Sequence, residues 1–117
     1  MPNSLRSEVV LLRYPFSNLT GAKIRPAVIV NAPHISKDVI IVPITSRITG
    51  LLAGEFVLQN WQQAGLNVPS AVKRGLYTVE ESLIVKAVGN LTTIDEQALE
   101  ISLRNWLGLK YKEAPKN

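Results

Sequence analysis

The chain has 117 residues, no cysteine, and 13 Lys and Arg against 9 Asp and Glu, a formal net charge of +4. This length fits a single domain. With 46% hydrophobic and 19% charged residues, the composition excludes a disordered chain of low hydrophobicity and high charge. The lack of cysteine excludes disulfides, Cys-ligated zinc, iron–sulfur clusters and a thiol nucleophile.

Short β-branched runs, separated by Pro, Gly or Asn, predict strands through the first 90 residues. The second and third runs are almost uniformly apolar, which indicates burial on both faces. The segment 16–24 has the composition of a loop, and Gln59–Ala64 is expected to form one or two helical turns that stop at Gly65. The predicted strands are 9–14, 26–30, 38–43, 55–58, 70–73 and 83–88.

The C-terminal segment has helical periodicity. Thr93 and Glu96 have the spacing of a capping box, and Gly108 is placed to end the helix. Trp106 lies on the apolar face and is expected in the core. The apolar residues recur at three- and four-residue spacings at Ile94, Ala98, Leu99, Ile101, Leu103, Trp106 and Leu107.

These elements predict a β-rich α+β fold: a small antiparallel barrel or curled sheet with one terminal helix packed on it. One domain is expected over residues 1–109, followed by a polar tail at 110–117. The first residues lack the apolar core of a signal peptide, and no apolar run approaches the roughly 20 residues of a membrane helix. The sequence therefore predicts a cytoplasmic protein with no membrane partner.

Several kinds of catalytic site are excluded or disfavoured. His34 is the single histidine, so a two-histidine acid–base mechanism is impossible, and its turn-like surroundings favour a surface loop residue. Metal-ligand spacings, a phosphate loop and a Gly-x-Ser-x-Gly elbow are all missing from the sequence. An enzyme with this sequence is therefore expected to work without a metal or another cofactor.

Two short motifs stand out because folding alone does not require them. The first is Lys23-Ile24-Arg25-Pro26, a pair of cations at the mouth of a buried strand. The second is 43–47, Pro-Ile-Thr-Ser-Arg, which places two hydroxyls and an Arg where the third strand ends. Arginine suits bidentate phosphate binding, and pairing of the two strands could join the motifs. A strand-edge charge and ordinary turn chemistry remain the alternatives.

The stretch 8–30, followed by Val39-Ile-Ile-Val-Pro-Ile-Thr-Ser46, resembles the MazF/PemK (Kid-like) toxins of type II toxin–antitoxin systems. The resemblance extends from Glu8 to about Leu109, with further similarity around 64–66, 69–70, 76–83 and 89–92. An Arg-Pro strand start at this distance from Pro-Ile-Thr-Ser is fairly specific, whereas either motif alone would be weak.

The resemblance implies an SH3-like antiparallel β-barrel with a C-terminal helix, of the CcdB/MazF type, that forms a homodimer. It implies a metal-independent endoribonuclease that cleaves single-stranded RNA, often mRNA, and is neutralised by a cognate antitoxin with an acidic tail. The family's catalytic arginine and threonine correspond to Arg25 and Thr45, and Ser46 and the loop 15–23 correspond to positions near the RNA. Thr20 stands where many relatives have a carboxylate, so this loop offers no carboxylate base.

The chemistry of RNA agrees with these roles. The RNA's own 2′-hydroxyl can attack the phosphate, giving 2′,3′-cyclic phosphate and 5′-hydroxyl ends, if a protein positions the chain and stabilises charge. Arg25 would supply positive charge or a proton, and Thr45 would hydrogen-bond a phosphate oxygen. For Phe16 and Trp61 packing is favoured over stacking on bases. The candidate RNA-binding residues are Arg13, Tyr14, Phe16, Thr20, Lys23, Ser46 and Arg47.

The charge distribution supports the same surface. Residues 1–50 hold six basic and two acidic side chains, whereas residues 51–117 hold seven of each. Four of the six, Arg13, Lys23, Arg25 and Arg47, lie in or beside the two motifs, which predicts one phosphate-binding groove per protomer.

Other functions remain open at this point. One alternative is a degenerate family member that acts as a nucleic-acid-binding or protein-binding module. Another is a gyrase poison like the CcdB relatives of the same fold. A third is a regulatory subunit that binds operator DNA together with an antitoxin.

Overall fold

The computed structural model describes residues 6–13, 23–31, 33 and 35–109. Within these ranges the chain forms seven short strands, a 3₁₀ turn at Glu81–Leu83 and one α-helix. The elements are β1 (Glu8–Arg13), β2 (Ile24–Ile29), β3 (Asp38–Thr45), β4 (Phe56–Val57), β5 (Ala71–Val72), β6 (Tyr77–Glu80), β7 (Ile84–Asn90) and α1 (Thr93–Leu107).

All pairings among these strands are antiparallel. The strands follow the order β4-β5-β3-β2-β1-β7, with β6 also paired to β3. The β-rich class with a C-terminal helix is therefore confirmed. The sheet is open rather than closed, because no pairing among the described strands joins β4 to β7 at its two ends.

Both faces of the central strands are buried, as their uniformly apolar composition predicts. Val9, Val28 and Val42 belong to one core cluster together with Leu99 of the helix. Val10 and Ile41, with Ala27, Ile29 and Val79, belong to a second cluster. Neighbouring residues of a strand point to opposite faces, so the sheet separates the two cores. A polar side chain at any of these positions would be buried away from water, whichever face it pointed to.

The helix ends where the sequence predicts, but less of its apolar face is buried than expected. Gly108 adopts a left-handed conformation with φ 71°, and the N–H of Leu109 donates to the carbonyl of Arg104 at 2.8 Å, as in a Schellman motif. Leu99 and Leu103 pack against the core. The expectation that Trp106 lies in the core is wrong, since 39% of it is exposed, because the sheet supports only one side of the apolar stripe.

The predicted capping box is also wrong. The N-cap is Thr92, and no side chain caps the helix. The side chains at this end are instead used in tertiary contacts: Glu96 accepts a hydrogen bond from the hydroxyl of Ser7. Asp95, which is 1% exposed, accepts the N–H groups of Gln59 at 2.8 Å and Asn60 at 2.9 Å. These bonds tie the helix start to the segment that follows β4.

That segment contains hydrogen-bonded turns at 59–65, and the bond from the N–H of Ala64 to the carbonyl of Asn60 at 3.1 Å forms one helical turn, in agreement with the prediction. It ends at Gly65, whose φ is +90°, and there its backbone presses on β7. A Cβ on Gly65 would lie 2.1 Å from the carbonyl oxygen of Val88, and one on Gly89 would lie 2.4 Å from that of Ala64. Both positions therefore require glycine, because only glycine lets two backbones approach this closely.

Two strand predictions differ from the structure in ways that matter for the site. The third strand runs on to Thr45, two residues beyond its predicted end, and the short strand β6 at Tyr77–Glu80 is not predicted by the sequence pattern. The division at residue 109 stays a prediction, and the tail 110–117 lies outside the described residues. In the described part of the chain, no helix is long and apolar enough to cross a membrane.

Candidate active site

The β2–β3 register brings the two motifs together. Ala27 of β2 pairs with Pro43 of β3 in an antiparallel register. This is the last pair of the β2–β3 ladder, and Arg25 and Thr45 each lie two residues beyond it, at the same end of the two strands. The sequence alone leaves the strand orientation open, and the antiparallel pairing settles it in favour of a shared end.

Arg25 and Thr45 line one groove of about 840 Å³. Its walls come from β1, β2 and β3, from the segment 65–70, and from the turn that connects β5 to β6. Lys23 and Ser46, two other predicted site residues, also line it. The two sequence motifs thus contribute to a single concave surface.

Four cations line this groove: Lys23 and Arg25 beside Lys73 and Arg74. All four are exposed. Among the residues that the structure describes, the lining includes neither Asp nor Glu. A concave surface lined by charges of one sign attracts the opposite charge strongly, so the groove suits a polyanion.

Half of this charge comes from a part of the chain that is neutral in composition. Lys73 and Arg74 belong to residues 51–117, where basic and acidic residues balance. They reach the groove because β5 pairs with the end of β3, with Thr45 opposite Ala71, and because the N–H of Lys73 donates to the carbonyl of Pro43 at 2.9 Å. The adjacent cations of the stretch Val-Lys-Arg-Gly at 72–75 are the signal in the sequence that could have indicated this contribution.

Tyr77, like Lys73 and Arg74, is a groove residue that the two sequence motifs do not indicate. It begins β6, lines the groove and is 40% exposed. A Cβ on Gly75 would lie 3.0 Å from a ring carbon of Tyr77, so the ring rests against a position that has no side chain. The groove thus offers an aromatic surface beside its cations.

The hydroxyl of Thr45 has a defined orientation. Its oxygen accepts the backbone N–H of Arg47 at 3.1 Å, a local contact typical of a Thr turn. An accepted bond leaves the hydroxyl hydrogen available to a ligand oxygen, because a threonine hydroxyl is both acceptor and donor. The local bond therefore fixes the oxygen of Thr45 and uses only its capacity as an acceptor.

The remaining predicted residues are distributed differently. Arg47 turns toward its own loop, where its Nε donates to the carbonyl of Thr49 at 3.3 Å, and it is not part of the groove lining. Arg13 is exposed at the end of β1, two residues beyond the lining residue Leu11. Tyr14, Phe16 and Thr20, as well as His34, lie outside the described residues. Trp61 is partly buried against the core, as expected.

The turn that carries Lys73 and Arg74 is held by a carboxylate. The two carboxylate oxygens of Glu55 accept the N–H of Leu52 at 2.8 Å and the N–H of Arg74 at 3.2 Å. These backbone hydrogen bonds, chiefly the one from Leu52, lower the pKa of Glu55, and the nearby positive charges of Lys73 and Arg74 act in the same direction. In the described ranges no group of three His, Cys, Asp or Glu side chains is arranged to hold a metal ion.

Comparison with known families gives one match over most of the chain. Residues 5–107 match the family of PemK-like, MazF-like toxins of type II toxin–antitoxin systems. The chain belongs to this family. The resemblance inferred from Arg25-Pro26 and Thr45-Ser46 is thereby confirmed, and the family assignment spans all seven strands and the helix. Comparison with curated protein sequences returned no significant match.

Solved structures share the fold of this family member. The toxin MazF-mt6 of Mycobacterium tuberculosis is 26% identical, with a TM-score of 0.69 over 89% of this chain and 99% of its own. An endoribonuclease in complex with its cognate antitoxin, from a mycobacterial species, is 16% identical with a TM-score of 0.73 over 96% and 100% of the two chains. MazF in a MazE–MazF complex of Deinococcus radiodurans is 15% identical with a TM-score of 0.75 over 94% and 100%.

Proposed function

We propose that this family member is an endoribonuclease toxin that cleaves single-stranded RNA, mRNA included, without a metal ion and is neutralised by a cognate antitoxin. The observation that carries the proposal is the single groove in which Arg25 and Thr45 lie with three further cations. Family membership supports the toxin role, and the mycobacterial relative, an endoribonuclease bound to its antitoxin, supports the activity.

The reaction follows from what the groove supplies. The 2′-oxygen of the RNA attacks the adjacent phosphorus, and the bond to the 5′-oxygen breaks, leaving a 2′,3′-cyclic phosphate and a 5′-hydroxyl end. Negative charge accumulates on the non-bridging phosphate oxygens in the transition state. Arg25 stabilises this charge with its fork of donors, and Thr45 donates a hydrogen bond to one of the same oxygens.

The cations away from Arg25 hold the substrate. Lys23, Lys73 and Arg74 bind neighbouring phosphates of the chain, and the exposed ring of Tyr77 offers a surface on which a base can stack. The attack of the 2′-oxygen is intramolecular even in free RNA, so fixing the chain lowers the barrier by holding this oxygen in line with the bond that breaks. The described lining offers no carboxylate, so water takes the proton of the 2′-hydroxyl and supplies a proton to the departing 5′-oxygen.

The positive charge of the groove also determines which partners we expect. An acidic antitoxin segment is expected to compete with RNA, since both are polyanionic and the groove is basic. Assembly as a homodimer in the cytoplasm and binding of operator DNA through the toxin–antitoxin complex belong to this proposal as well. Solved relatives in complex with antitoxins support the antitoxin partner.

A cleavage assay in EDTA tests the proposal. Purified protein is incubated with a mixed pool of RNA, and the ends of the products are mapped. Cleavage that persists in EDTA and leaves 2′,3′-cyclic phosphate ends supports the proposed reaction. Intact RNA, or cleavage that requires a divalent metal, would contradict it.

The same protein is also tested against the alternative of a gyrase poison. DNA breaks that depend on gyrase, with RNA left intact, would assign the fold to that function instead. RNA cleavage with no effect on gyrase supports the ribonuclease.

A further inference from the structure

Glu55 lies directly before β4 and connects two segments that are 19 positions apart in sequence. One carboxylate oxygen accepts the N–H of Leu52 at 2.8 Å, and the other accepts the N–H of Arg74 at 3.2 Å. A charged acceptor forms stronger hydrogen bonds with backbone donors than a neutral one does. The backbone of Arg74 is therefore fixed relative to the segment 52–55.

The same segment also holds the side chain of Arg74. The guanidinium Nη1 donates to the carbonyl of Ala53 at 3.4 Å. The next carbonyl, that of Gly54, accepts a hydrogen bond from Ser102 of α1. The segment is thus anchored to the helix on one side and holds the turn after β5 on the other.

We propose that Glu55 is a positioning residue that holds the turn after β5 so that Lys73 and Arg74 face the RNA phosphates in the groove. Glu55 itself does not line the groove, whereas Lys73 and Arg74 do. The inference rests on the proposed function for what the two cations bind. Glu55 lies outside the groove, yet it determines how well Lys73 and Arg74 bind RNA.

Charge alone predicts the opposite effect of removing this carboxylate. A negative charge beside a basic groove repels RNA, so its neutralisation should tighten RNA binding if electrostatic attraction were all that mattered. Positioning predicts weaker binding, because an amide at position 55 presents an acceptor to one N–H but its NH₂ group to the other. The sign of the change therefore separates the two accounts.

The variants are Glu55→Gln and Glu55→Ala, compared with Glu80→Gln. Glu80 is exposed at the end of β6, its carboxylate accepts a hydrogen bond from Ser82 at 3.4 Å, and it is not part of the groove lining. Its replacement removes the same charge without touching the turn after β5. Amide hydrogen exchange at Leu52 and Arg74 reports whether the turn is still held, independently of RNA.

RNA binding is measured with a labelled, single-stranded 2′-O-methyl RNA of randomised sequence, which has no free 2′-hydroxyl and cannot be cleaved. For Glu55→Gln we expect faster exchange at both amides and a dissociation constant raised about three- to tenfold. The slope of log affinity against log salt should become shallower by about one. With cleavable RNA, KM should rise while kcat stays within about twofold, because Arg25 and Thr45 are untouched. Glu80→Gln should leave exchange at these amides unchanged and should not weaken binding.

Each outcome decides a separate point. Unchanged exchange in Glu55→Gln, or faster exchange with equal or tighter RNA binding, overturns the positioning role while leaving the ribonuclease proposal intact. A fall in kcat with KM unchanged overturns it too. If the wild-type protein neither binds nor cleaves RNA, the proposed function fails and the RNA role of Glu55 fails with it, and the exchange data then show only a structural hydrogen bond.

Discussion

Arg25 and Thr45 lie at equal distances from one strand pair, Ala27 with Pro43, so the antiparallel register of β2 and β3 brings them to the same end of the sheet. They are 20 positions apart in sequence, yet they line one groove. In the proposed function, the guanidinium of Arg25 and the hydroxyl of Thr45 act on the same phosphate.

The Thr45 hydroxyl is expected to contribute to the rate of cleavage. Thr45→Ala removes the donor and should lower kcat for RNA cleavage about 10- to 100-fold, whereas Thr45→Ser keeps the hydroxyl and should lose much less. The matched control is Thr78→Ala, which replaces an exposed threonine on β6. Single-turnover rates, measured with the enzyme in excess of the RNA and above the KM, give the comparison. Equal rates for Thr45→Ala and Thr78→Ala would remove Thr45 from the site.

Lys73 and Arg74 are expected to bind phosphates. Replacing both by Ala should weaken binding of single-stranded RNA and make the slope of log affinity against log salt shallower by about 1.4, since two phosphate contacts worth about 0.7 each are lost. Lys86→Ala removes an exposed cation of β7 that does not line the groove, and it should leave the slope nearly unchanged. A salt slope that is the same in the double variant and in wild type would show that these cations do not contact RNA.

The stability of the protein should depend on pH through Glu55. Its hydrogen bonds lower its pKa in the folded state from the ordinary value of 4.5, so the unfolded state binds the proton more tightly. The stabilisation is therefore fully present above about pH 4.5 and is lost as pH falls through the folded-state pKa. Urea unfolding from pH 3 to 7 should give wild type a higher free energy of unfolding than Glu55→Gln at neutral pH. The difference between the two proteins should become smaller as the pH falls. A difference that is constant with pH would contradict this assignment.

The contact between Gly89 and Ala64 gives a prediction about folding. Gly89→Ala would place a Cβ 2.4 Å from the carbonyl oxygen of Ala64, and neither backbone can yield easily. We expect a loss of more than about 2 kcal/mol in the free energy of unfolding. Gly108→Ala meets no atom within 4 Å and should lose only about 1 kcal/mol, owing to its left-handed conformation. Similar losses for the two variants in urea unfolding would show that β7 and the turn at 59–65 can move apart at this point.

Much of the fold and of the site could be predicted from local sequence. The β-branched runs identify β1, β2 and β3, and Gly108 identifies the end of the helix, because these signals depend on the residues themselves. Arg25 and Thr45 could be found as motifs at the ends of strands, and the family resemblance gave them roles. Composition and motifs alone also limit the possible catalytic mechanisms, because the chain has a single histidine and no metal-ligand spacing.

What could not be predicted depends on contacts between distant segments. Lys73 and Arg74 enter the groove only because β5 pairs with the end of β3. The strand itself is predicted at 70–73, but so short a pattern does not indicate which strand it pairs with. The helical spacing of Trp106 shows an apolar face but not which part of that face the sheet covers. The spacing of Thr93 and Glu96 fits a capping box, but Glu96 accepts a hydrogen bond from Ser7 instead. This partner is distant in sequence, so the local pattern does not indicate it.

The most direct test of the account is the rate of RNA cleavage in EDTA by wild type, Arg25→Ala, Arg25→Lys and the control Lys86→Ala. Arg25 is exposed, so its replacement should leave the thermal unfolding midpoint nearly unchanged. The account predicts that Arg25→Ala lowers the single-turnover rate at least about 100-fold and that Arg25→Lys recovers only part of it, because lysine lacks the planar fork, while Lys86→Ala cleaves like wild type. Cleavage by Arg25→Ala at the wild-type rate would contradict it.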